Sequence, residues 1–454
     1  LRSPNNPLMA AALFAVMKAG GVAVTSMPLL RAKELAFMSG KAKVGLALCD
    51  HRFMEEMEKA KSVSPVLATI VPMGGASSED LLRRVEKAPS DFVACRTDAE
   101  DICLIAFTSG TTGVPKGAMH NHRDLLATCD TYGKYVLEPR MNDVFIGSPP
   151  LAFTFGLGGG ALFPLRVGVS SILLEQGGPD KLLEAIKTLK PTVCFTAPIA
   201  YRAMLNKMQQ GDVASLRVCV SAGEALPRAT WEAWHRATGI EILDGIGSTE
   251  MLHIFIGAPV GRIKPGATGI PVPGYEAKIV GEDGNDLPRG SVGLLAVRGP
   301  TGCRYLDDPR QADYVRKGWN FTGDTYRLDE DGYYWHQARS DDMIVSAGYN
   351  IAGPEVEGAL LSHPAVLECA VVGAPDAAHD TTVVKAYVVT RAGEELSEAL
   401  AGALQEHVKA EIAPFKSPRL ITFVEALPRT ESGKLQRFVL RERAKAEAGQ
   451  EKPR

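Results

Sequence analysis

Short apolar segments that alternate with helical patterns restrict the fold of this sequence more than any other feature. A helical pattern over 8–18 is followed by the strand-like residues 22–25, and a polar helix from about 32 is followed by residues 44–48. The same alternation returns over 190–260, where two buried-strand patterns each lead into a helix. Alternation of this kind is typical of layered α/β architecture. The sequence therefore predicts a large α/β domain with several layers.

Two changes of pattern divide the rest of the chain. Between about 260 and 338, short strands are separated by Gly, Pro, Asp and Asn, which indicates a β-rich subdomain. A compact α/β pattern follows, so we predict an N-terminal domain over 1–340 and a small C-terminal domain over 341–454. The highly charged residues 441–454 have no apolar stripe, and we expect a fraying helical tail. Since the chain opens at Leu1 within a structured pattern, we also expect that an N-terminal portion is missing.

Composition excludes several classes of protein. The 454 residues are 45% hydrophobic and 23% charged, which is average for globular proteins and leaves room for several cores. The net charge of −3 gives no electrostatic footprint for a polyanion. The eight cysteines form no C-x-x-C pair, so we expect free thiols rather than a zinc cage or disulfides. No apolar run suits a membrane helix or a signal peptide. We expect a cytoplasmic protein that binds neither nucleic acid nor membrane, with its oligomeric state open and a dimer compatible.

A loop rich in glycine and hydroxyl groups carries the strongest functional signal. The apolar residues 105–107 lead into it, and it ends in Pro115-Lys116-Gly117. Glycines let backbone N–H groups approach phosphate oxygens, hydroxyls donate hydrogen bonds, and Lys116 adds a positive charge. The pattern predicts a polyphosphate site, with a flexible surface loop as the alternative. It is not a Walker A site, because that pattern would need glycine where Pro115 stands.

The segment Thr108-Ser109-Gly110-Thr111-Thr112-Gly113-Val114-Pro115-Lys116-Gly117 resembles the phosphate loop of the adenylate-forming enzymes. This superfamily contains acyl-CoA synthetases, peptide-synthetase adenylation domains and firefly luciferase. Later segments resemble further family motifs in the same order: Gly247–Glu250, Phe321–Asp324, Arg339–Ile344, Gly348–Ile351 and Pro428–Lys434. The resemblance spans 108–434. It implies an adenylate-forming fold with a small mobile C-terminal domain, and the use of ATP, Mg²⁺ and coenzyme A.

The resemblance also implies roles for individual residues. Lys116 and Thr249 would contact the phosphates, Glu250 would hold Mg²⁺, and Lys434 would bridge the substrate carboxylate and the α-phosphate. Asp324 and Arg339 would contact the ribose. The rest of the implied nucleotide site comprises Thr108, Ser109, Gly110, Thr111, Thr112, Gly113, Gly223, Glu224, Ala225, Asp244, Ile246 and Gly247. The family often has an aromatic residue that stacks on adenine at the position of Ile246. The resemblance therefore does not imply this stacking for the present chain.

The acid pocket and the hinge are implied in the same way. The implied pocket comprises Phe153, Phe155, Ala222, Gly247 and His253, although a core or surface histidine is an equal alternative for His253. A formal G-x-G-x-x-A match at 156–161 follows two prolines and lacks the expected acid about 20 residues later, so we do not interpret it as a dinucleotide site. Asp341 matches the hinge between the domains, and Gly348 the coenzyme A channel. Lys434 also resembles the lysine-acetylation site of acyl-CoA synthetases, which implies a protein acetyltransferase as a partner.

Three segments indicate a branch of the family: 244–255, 299–306 and 318–324 look most like the benzoate and 2-aminobenzoate CoA ligases. The resemblance thus implies an ATP-dependent acid–CoA ligase that forms an acyl-adenylate and then a thioester, acting on a small aromatic carboxylic acid. Two alternatives stay open. One is a medium-chain fatty acyl-CoA synthetase, and the other is an adenylation module that loads a carrier protein.

Overall fold

A computed structural model of the chain describes residues 1–108, 115–339, 342–346, 349–376, 381–429 and 435–450. Its central sheet has, among these residues, the strand order Ile270–Pro271, Ile254–Gly257, Ile242–Gly247, Val218–Ser221, Val193–Thr196, Val144–Gly147 and Ser170–Leu173. The first two strands are antiparallel additions to a parallel set. Parallel neighbours need crossover connections. Helices supply them: Thr154–Leu157 with its continuations Gly158–Leu162 and Phe163–Val167, then Pro179–Leu189, Pro198–Leu205 and Arg228–Thr238.

Both faces of the central sheet are covered, and this explains its apolar strands. Every residue of Val193–Thr196 and Val218–Ser221 is buried, as expected for parallel strands between two helical layers. Tyr201 and Trp234 pack in a cluster on one face. Phe163 and Phe195 belong to a second, larger cluster, which faces the site described below.

The first part of the chain builds a side layer. Helix Pro7–Lys18 starts at Asn6, whose side chain accepts a hydrogen bond from the Met9 backbone N–H. Two small sheets follow: Leu46–Asp50 pairs with Thr69–Met73, while Ile102–Thr108 lies between Ala23–Val24 and Lys116–Asn121. The helical segments of this part are Ala32–Lys41, His51–Phe53, Met54–Val63, Leu81–Val85, His122–Thr128 and Cys129–Leu137.

An antiparallel sheet occupies the region predicted to be rich in strands. It consists of Glu276–Val280, Val292–Arg298, Val315–Arg316, Trp319–Leu328 and Tyr334–Arg339. The short helix Gln311–Tyr314 precedes Val315–Arg316. The consecutive strands Trp319–Leu328 and Tyr334–Arg339 pair antiparallel, which places the two predicted ribose residues, Asp324 and Arg339, opposite each other.

A small α/β unit follows. Helix Gly353–Leu361 has a proline in its first turn, where the missing backbone N–H removes no helical hydrogen bond. The strand Thr381–Thr390 lies between Val366–Asp376 and Leu420–Phe423. The other elements of this unit are the paired strands Ile344–Ser346 and Tyr349–Ile351, and the helices Glu398–Glu411, Pro414–Lys416 and Arg437–Gln450.

The last helix corrects one prediction. We expected a fraying tail over 441–454, but helix Arg437–Gln450 packs against the strand Val366–Asp376. Leu440 and Ala444, four residues apart, are each 1% exposed. Glu447 pairs with the buried Lys385. The prediction was wrong for residues 441–450, because two apolar positions and one partly buried ion pair suffice to dock a helix whose other faces are charged.

Two findings bear on the predicted environment. All eight cysteines are free, and all except Cys95 are buried. Within the described parts of the chain, the model contains no helix with the length and apolar character that a membrane crossing requires.

Candidate active site

The predicted phosphate loop connects two antiparallel strands. Ile102–Thr108 and Lys116–Asn121 pair so that Thr108 lies opposite Lys116. The pairing thus holds the two ends of the loop side by side, at the same end of the two strands. Ser109, Gly110, Thr111, Thr112 and Gly113, which we predicted to bind phosphate, lie outside the described residues. The Thr108 hydroxyl is buried and has no hydrogen-bond partner among the described residues.

Lys116 and Glu250 come together around a tyrosine. The Lys116 Nζ atom donates to the Tyr305 hydroxyl at 2.7 Å, and this hydroxyl donates to Glu250 Oε1 at 2.5 Å. Lys116 Nζ lies 3.6 Å from the same carboxylate oxygen. Burial, and then the charge of Glu250, raises the pKa of Tyr305 well above its usual range, so its hydroxyl remains protonated. The two charged groups are therefore held close together through a neutral donor.

Tyr305 and a second residue, Tyr314, are site residues that the sequence analysis missed. Their rings meet edge to face with centroids 5.8 Å apart, and the Tyr314 hydroxyl lies 3.2 Å from the Ser248 Oγ atom. The Lys116 ammonium lies 4.6 Å from the centroid of the Tyr305 ring, within cation–π distance. In the sequence, Tyr305 belongs only to the segment 299–306 that resembles the benzoate-ligase branch, and nothing there indicates that it contacts Lys116 or Glu250.

A tight turn after the strand Ile242–Gly247 positions Thr249 and Glu250. A Cβ atom on Gly247 would lie 2.6 Å from the backbone oxygen of His253, so only glycine fits there. Ser248 Oγ accepts a hydrogen bond from the Met251 backbone N–H at 3.2 Å. The turn folds back on itself, and Glu250 is buried beside Lys116 while Thr249 stays partly exposed.

The predicted ribose residues lie on neighbouring strands. Asp324 and Arg339 are partners in the antiparallel register. His336 Nε2 is 4.0 Å from Asp324 Oδ1, and the Asp324 backbone N–H donates to Thr322 Oγ1 at 3.2 Å. The side chain of Arg339 lies outside the described atoms. The backbone alone thus brings these two predicted residues together.

Two features lie where the sequence predicts that adenine binds: the turn at Gly223 and the partly buried carboxyl group of Asp244. Gly223 has φ +93°, which favours glycine in the turn after Val218–Ser221. Asp244 lies on the adjacent strand, and its Oδ1 atom is buried without a hydrogen-bond partner among the described residues. Burial raises the pKa of Asp244 to about 8. Ile246 is partly buried against the core, where it offers an aliphatic surface rather than an aromatic ring.

The rest of the turn after Val218–Ser221 carries the other predicted residues. Ala222 is buried, while the Ala225 side chain is exposed. Glu224 points toward the small unit, where it pairs with Arg429 at 3.3 Å. Glu224 therefore links the predicted adenine segment to the C-terminal part of the chain.

The predicted acid pocket contains a histidine surrounded by rings. His253 is 4% exposed, and its ring centroid lies 4.6 Å from that of Phe163 and 5.8 Å from that of Phe155. Tyr132 and Phe195 complete this aromatic cluster at 5.3 Å and 6.5 Å. Neither nitrogen of His253 has a hydrogen-bond partner among the described residues, and burial lowers its pKa to about 3. The ring is therefore neutral near pH 7.

Two features of this cluster differ from what the sequence suggested. Phe153 begins helix Thr154–Leu157 and, unlike Phe155, makes no ring contact with His253 among the described residues. Phe163, Phe195 and Tyr132 were not predicted to belong to the pocket. Their separation in the chain gave no signal that they would surround one histidine.

The remaining predicted residues lie outside the described parts of the chain. They are Asp341, Gly348 and Lys434. The residues on either side of 430–434 are described: Arg429 and Leu435 form an antiparallel bridge, and the Gln436 backbone N–H donates to the Pro428 carbonyl at 2.9 Å. The two ends of this segment therefore lie side by side.

The partly buried Lys116–Glu250 pair at the end of the predicted phosphate loop, followed in the chain by a small α/β unit, agrees with the resemblance to the adenylate-forming enzymes. The model of the AMP-binding enzyme family matches residues 1–304, and that of the AMP-binding enzyme C-terminal domain matches 355–434. The chain belongs to the AMP-binding enzymes. The predicted family and fold class are thereby confirmed.

The relatives include CoA ligases for aromatic acids. The benzoate–CoA ligase of Thauera aromatica is 37% identical over 94% of this chain and 82% of its own length. The crystal structure of the anthranilate CoA ligase AuaEII with anthranoyl-AMP has a TM-score of 0.94 and 38% identity, and covers 98% of this chain and 87% of that one. A benzoate CoA ligase from Burkholderia xenovorans gives a TM-score of 0.88 and 34% identity, with 97% and 89% covered. The predicted enzyme class, an ATP-dependent acid–CoA ligase, is confirmed by these relatives.

Proposed function

We propose that this chain is a CoA ligase for small aromatic acids. The substrate carboxylate attacks the α-phosphorus of ATP to give an acyl-adenylate and pyrophosphate, and the coenzyme A thiol then displaces AMP to form the thioester. The observation that carries the aromatic preference is the ring cluster around His253, which adjoins the turn that bears Thr249 and Glu250. The names of the benzoate and anthranilate ligases that resemble this chain support the same proposal.

The charges of the site suit the first half-reaction. A carboxylate and a triphosphate repel each other, so positive groups must stabilise the negative charge that concentrates between them. Lys116 lies at the end of the predicted phosphate loop and supplies one such group. We propose that Lys434 supplies another, that Thr249 contacts the α-phosphate, and that Asp324 accepts hydrogen bonds from the ribose hydroxyls.

The residues around Glu250 fit magnesium bound together with ATP. The described residues contain no group of three or more His, Cys, Asp or Glu side chains that could hold a metal alone. Magnesium often takes one or two carboxylates and completes its shell with substrate phosphates and water. We propose that Glu250 provides this carboxylate. When bound, the ion would neutralise phosphate charge, while Tyr305 and Lys116 orient the carboxylate.

The aromatic cluster offers both stacking and polar contacts to an aryl acid. Offset stacking on rings such as Phe155 contributes about 0.5–1.5 kcal/mol beyond the area buried. The His253 nitrogens and the Tyr132 hydroxyl are buried without partners among the described residues, so they are free to bond a ring substituent. A neutral imidazole can donate from one nitrogen and accept at the other. This suits a 2-amino or a hydroxyl substituent.

A comparison of three acids tests the proposed substrate class. We expect kcat/KM to be higher for benzoate and 2-aminobenzoate than for hexanoate, measured by pyrophosphate release and by thioester formation. Hexanoate provides a similar carbon count without a ring to stack. A tenfold preference for hexanoate would overturn the aromatic assignment and favour the fatty-acid alternative. Transfer to a carrier protein, without transfer to coenzyme A, would favour the adenylation-module alternative.

We further propose a domain boundary near 340, with Asp341 as the hinge and Lys434 at the α-phosphate during the first half-reaction only. Lys434→Ala should then slow pyrophosphate formation about 100-fold, the scale for loss of one preorganised charge, and spare thioester formation from added acyl-adenylate. Acetylation of Lys434 removes the same charge and should have the same effect. Asp341→Pro, which stiffens the backbone, should do the converse. Equal loss in both steps for Lys434→Ala would refute rotation of the small domain.

A further inference from the structure

The carboxylate of Glu224 contacts the two residues that flank the segment 430–434. Glu224 belongs to the part of the chain before residue 340, which we call the large unit; the α/β unit after it is the small unit. Arg429 Nη1 donates to Glu224 Oε1 at 3.3 Å, and the Leu435 backbone N–H donates to the same oxygen at 3.3 Å. Arg429 and Leu435 also form an antiparallel bridge with each other. We call these two residues the base of the segment 430–434, and Glu224 contacts both of them. Lys434 is covalently bonded to Leu435. The position of Glu224 relative to this base therefore restricts where Lys434 can reach.

The guanidinium of Arg429 is oriented from within the small unit. Its Nη2 atom donates to Glu368 Oε2 at 3.1 Å, and Glu368 lies on the strand Val366–Asp376. One carboxylate thus belongs to the small unit and moves with Arg429, while the other, Glu224, belongs to the large unit. The two side chains are similarly exposed, 23% for Glu368 and 27% for Glu224.

Two other contacts join the units on the same side. Arg202 donates to the Leu367 carbonyl at 3.5 Å, and Arg391 donates to Asn206 Oδ1 at 3.2 Å. Neither touches the ends of segment 430–434. Among these contacts, Glu224 alone links the predicted adenine turn to the base of the segment 430–434.

We propose that Glu224 is a positioning residue for the first half-reaction, and this rests on the function proposed above. Its carboxylate holds Arg429 and Leu435, the two residues that flank 430–434, against the large unit, and so favours the orientation of the small unit in which Lys434 would act in the first half-reaction, as proposed above. The contact is partly exposed, so water replaces it at low cost when the small unit turns away. Glu224 therefore favours adenylate formation without preventing the later transfer to coenzyme A.

Single-turnover kinetics of Glu224→Gln tests this role. At saturating ATP we expect pyrophosphate formation to slow by about threefold to tenfold, the scale of one ionic contact that biases two orientations. Thioester formation from added acyl-adenylate should keep its rate. Equal slowing of both half-reactions, or of neither, would overturn the proposal.

Glu368→Gln is the matched control. It removes an equally exposed carboxylate from the same guanidinium, but one that stays with Arg429 when the small unit moves. We expect less than a twofold change in either half-reaction. A loss in the first half-reaction equal to that of Glu224→Gln would mean that Arg429 acts through the fold of the small unit, and would overturn the proposal.

A double-mutant cycle with Arg429→Gln separates positioning from general destabilisation. If the two side chains act through their contact, adding Glu224→Gln to Arg429→Gln should slow pyrophosphate formation by less than a further twofold. Fully multiplicative effects would contradict the contact. Failure of the wild-type protein to release pyrophosphate with any acid would instead refute the proposed function, so the two failures are distinguishable.

Discussion

Replacing Tyr305 with phenylalanine should weaken the use of ATP while leaving the fold intact. The hydroxyl donates to Glu250 at 2.5 Å and accepts from Lys116 at 2.7 Å, so it lies between two opposite charges. Phenylalanine keeps the ring that packs against Tyr314 and removes only this oxygen. We expect Lys116, now 3.6 Å from Glu250 Oε1, to close onto the carboxylate. Lys116 would then be less available to phosphate, and Glu250 less available to magnesium.

The magnitude follows from the contact. A hydrogen bond to a charged group contributes about 1.5–3 kcal/mol, which corresponds to roughly 10-fold to 150-fold in rate or affinity. We therefore expect kcat/KM for ATP to fall by about 10-fold to 100-fold. Pyrophosphate release is measured against ATP at fixed magnesium, and then against magnesium at saturating ATP. The magnesium concentration for half-maximal rate should rise, because Glu250 would be engaged by Lys116.

Tyr314→Phe provides the matched control for Tyr305→Phe. It removes a neighbouring buried hydroxyl that contacts Ser248 rather than Lys116 or Glu250. We expect a change of less than about threefold in kcat/KM, and similar melting temperatures for both variants. Equal kinetic losses in the two variants would refute the reasoning, since the bridge between the charges would then not matter.

Three further outcomes are expected. Asp324→Ala should raise the KM for ATP more than that for the acid, since a carboxylate that accepts two hydrogen bonds contributes about 1.5–3 kcal/mol; unchanged ATP affinity in titration calorimetry would contradict the ribose assignment. Gly158→Ala should destabilise by about 1–3 kcal/mol and reduce kcat/KM for the acid, because its Cβ would lie 2.4 Å from the His253 ring. Gly402→Ala, inside helix Glu398–Glu411, meets no atom within 4 Å and should instead stabilise by about 0.5–1 kcal/mol in denaturation. The pKa of His253, lowered from 6.5 to about 3 by burial, means that the unfolded chain gains a proton below about pH 6.5 while the folded chain does not. The His253 contribution to stability should therefore fall as pH decreases from 7 to 5, whereas Asp244, whose pKa is raised to about 8, contributes in the opposite sense. The melting temperature of His253→Asn, measured relative to that of the wild type, should therefore rise as the pH is lowered from 7 to 5.

Much of the fold was predictable because its buried strands are continuous apolar segments, which can be recognised in the sequence without knowledge of their partners. The apolar runs at 192–196 and 216–221 suit strands covered on both faces, and the structure has strands at Val193–Thr196 and Val218–Ser221. Helix Arg437–Gln450 was not predictable to the same degree. Its docking depends on Leu440, Ala444 and the pairing of Glu447 with Lys385, and none of these partners is recognisable from the helix itself.

The candidate site was also predictable only in part from the sequence. Lys116 and Glu250 lie in segments whose composition or resemblance indicates phosphate and metal chemistry, and the structure brings them together. Tyr305 lies 189 residues from Lys116 in the chain, and its contact exists only because the two segments form an antiparallel bridge beside Lys116. Residues that act through long-range contacts carry no spacing signal. They become visible only in the folded chain.

The Lys116–Glu250 and Glu224–Arg429 contacts differ in burial, and this difference suits them to different roles. Lys116 and Glu250 are 18% and 10% exposed in their side chains and lie within one unit, so separating them would leave a poorly solvated charge. Such a pair suits fixed, preorganised charges for phosphate. Glu224 and Arg429 are 27% and 22% exposed and belong to different units, so water compensates when they part. A contact of this kind suits the reversible turning of the small unit that we propose between the two half-reactions.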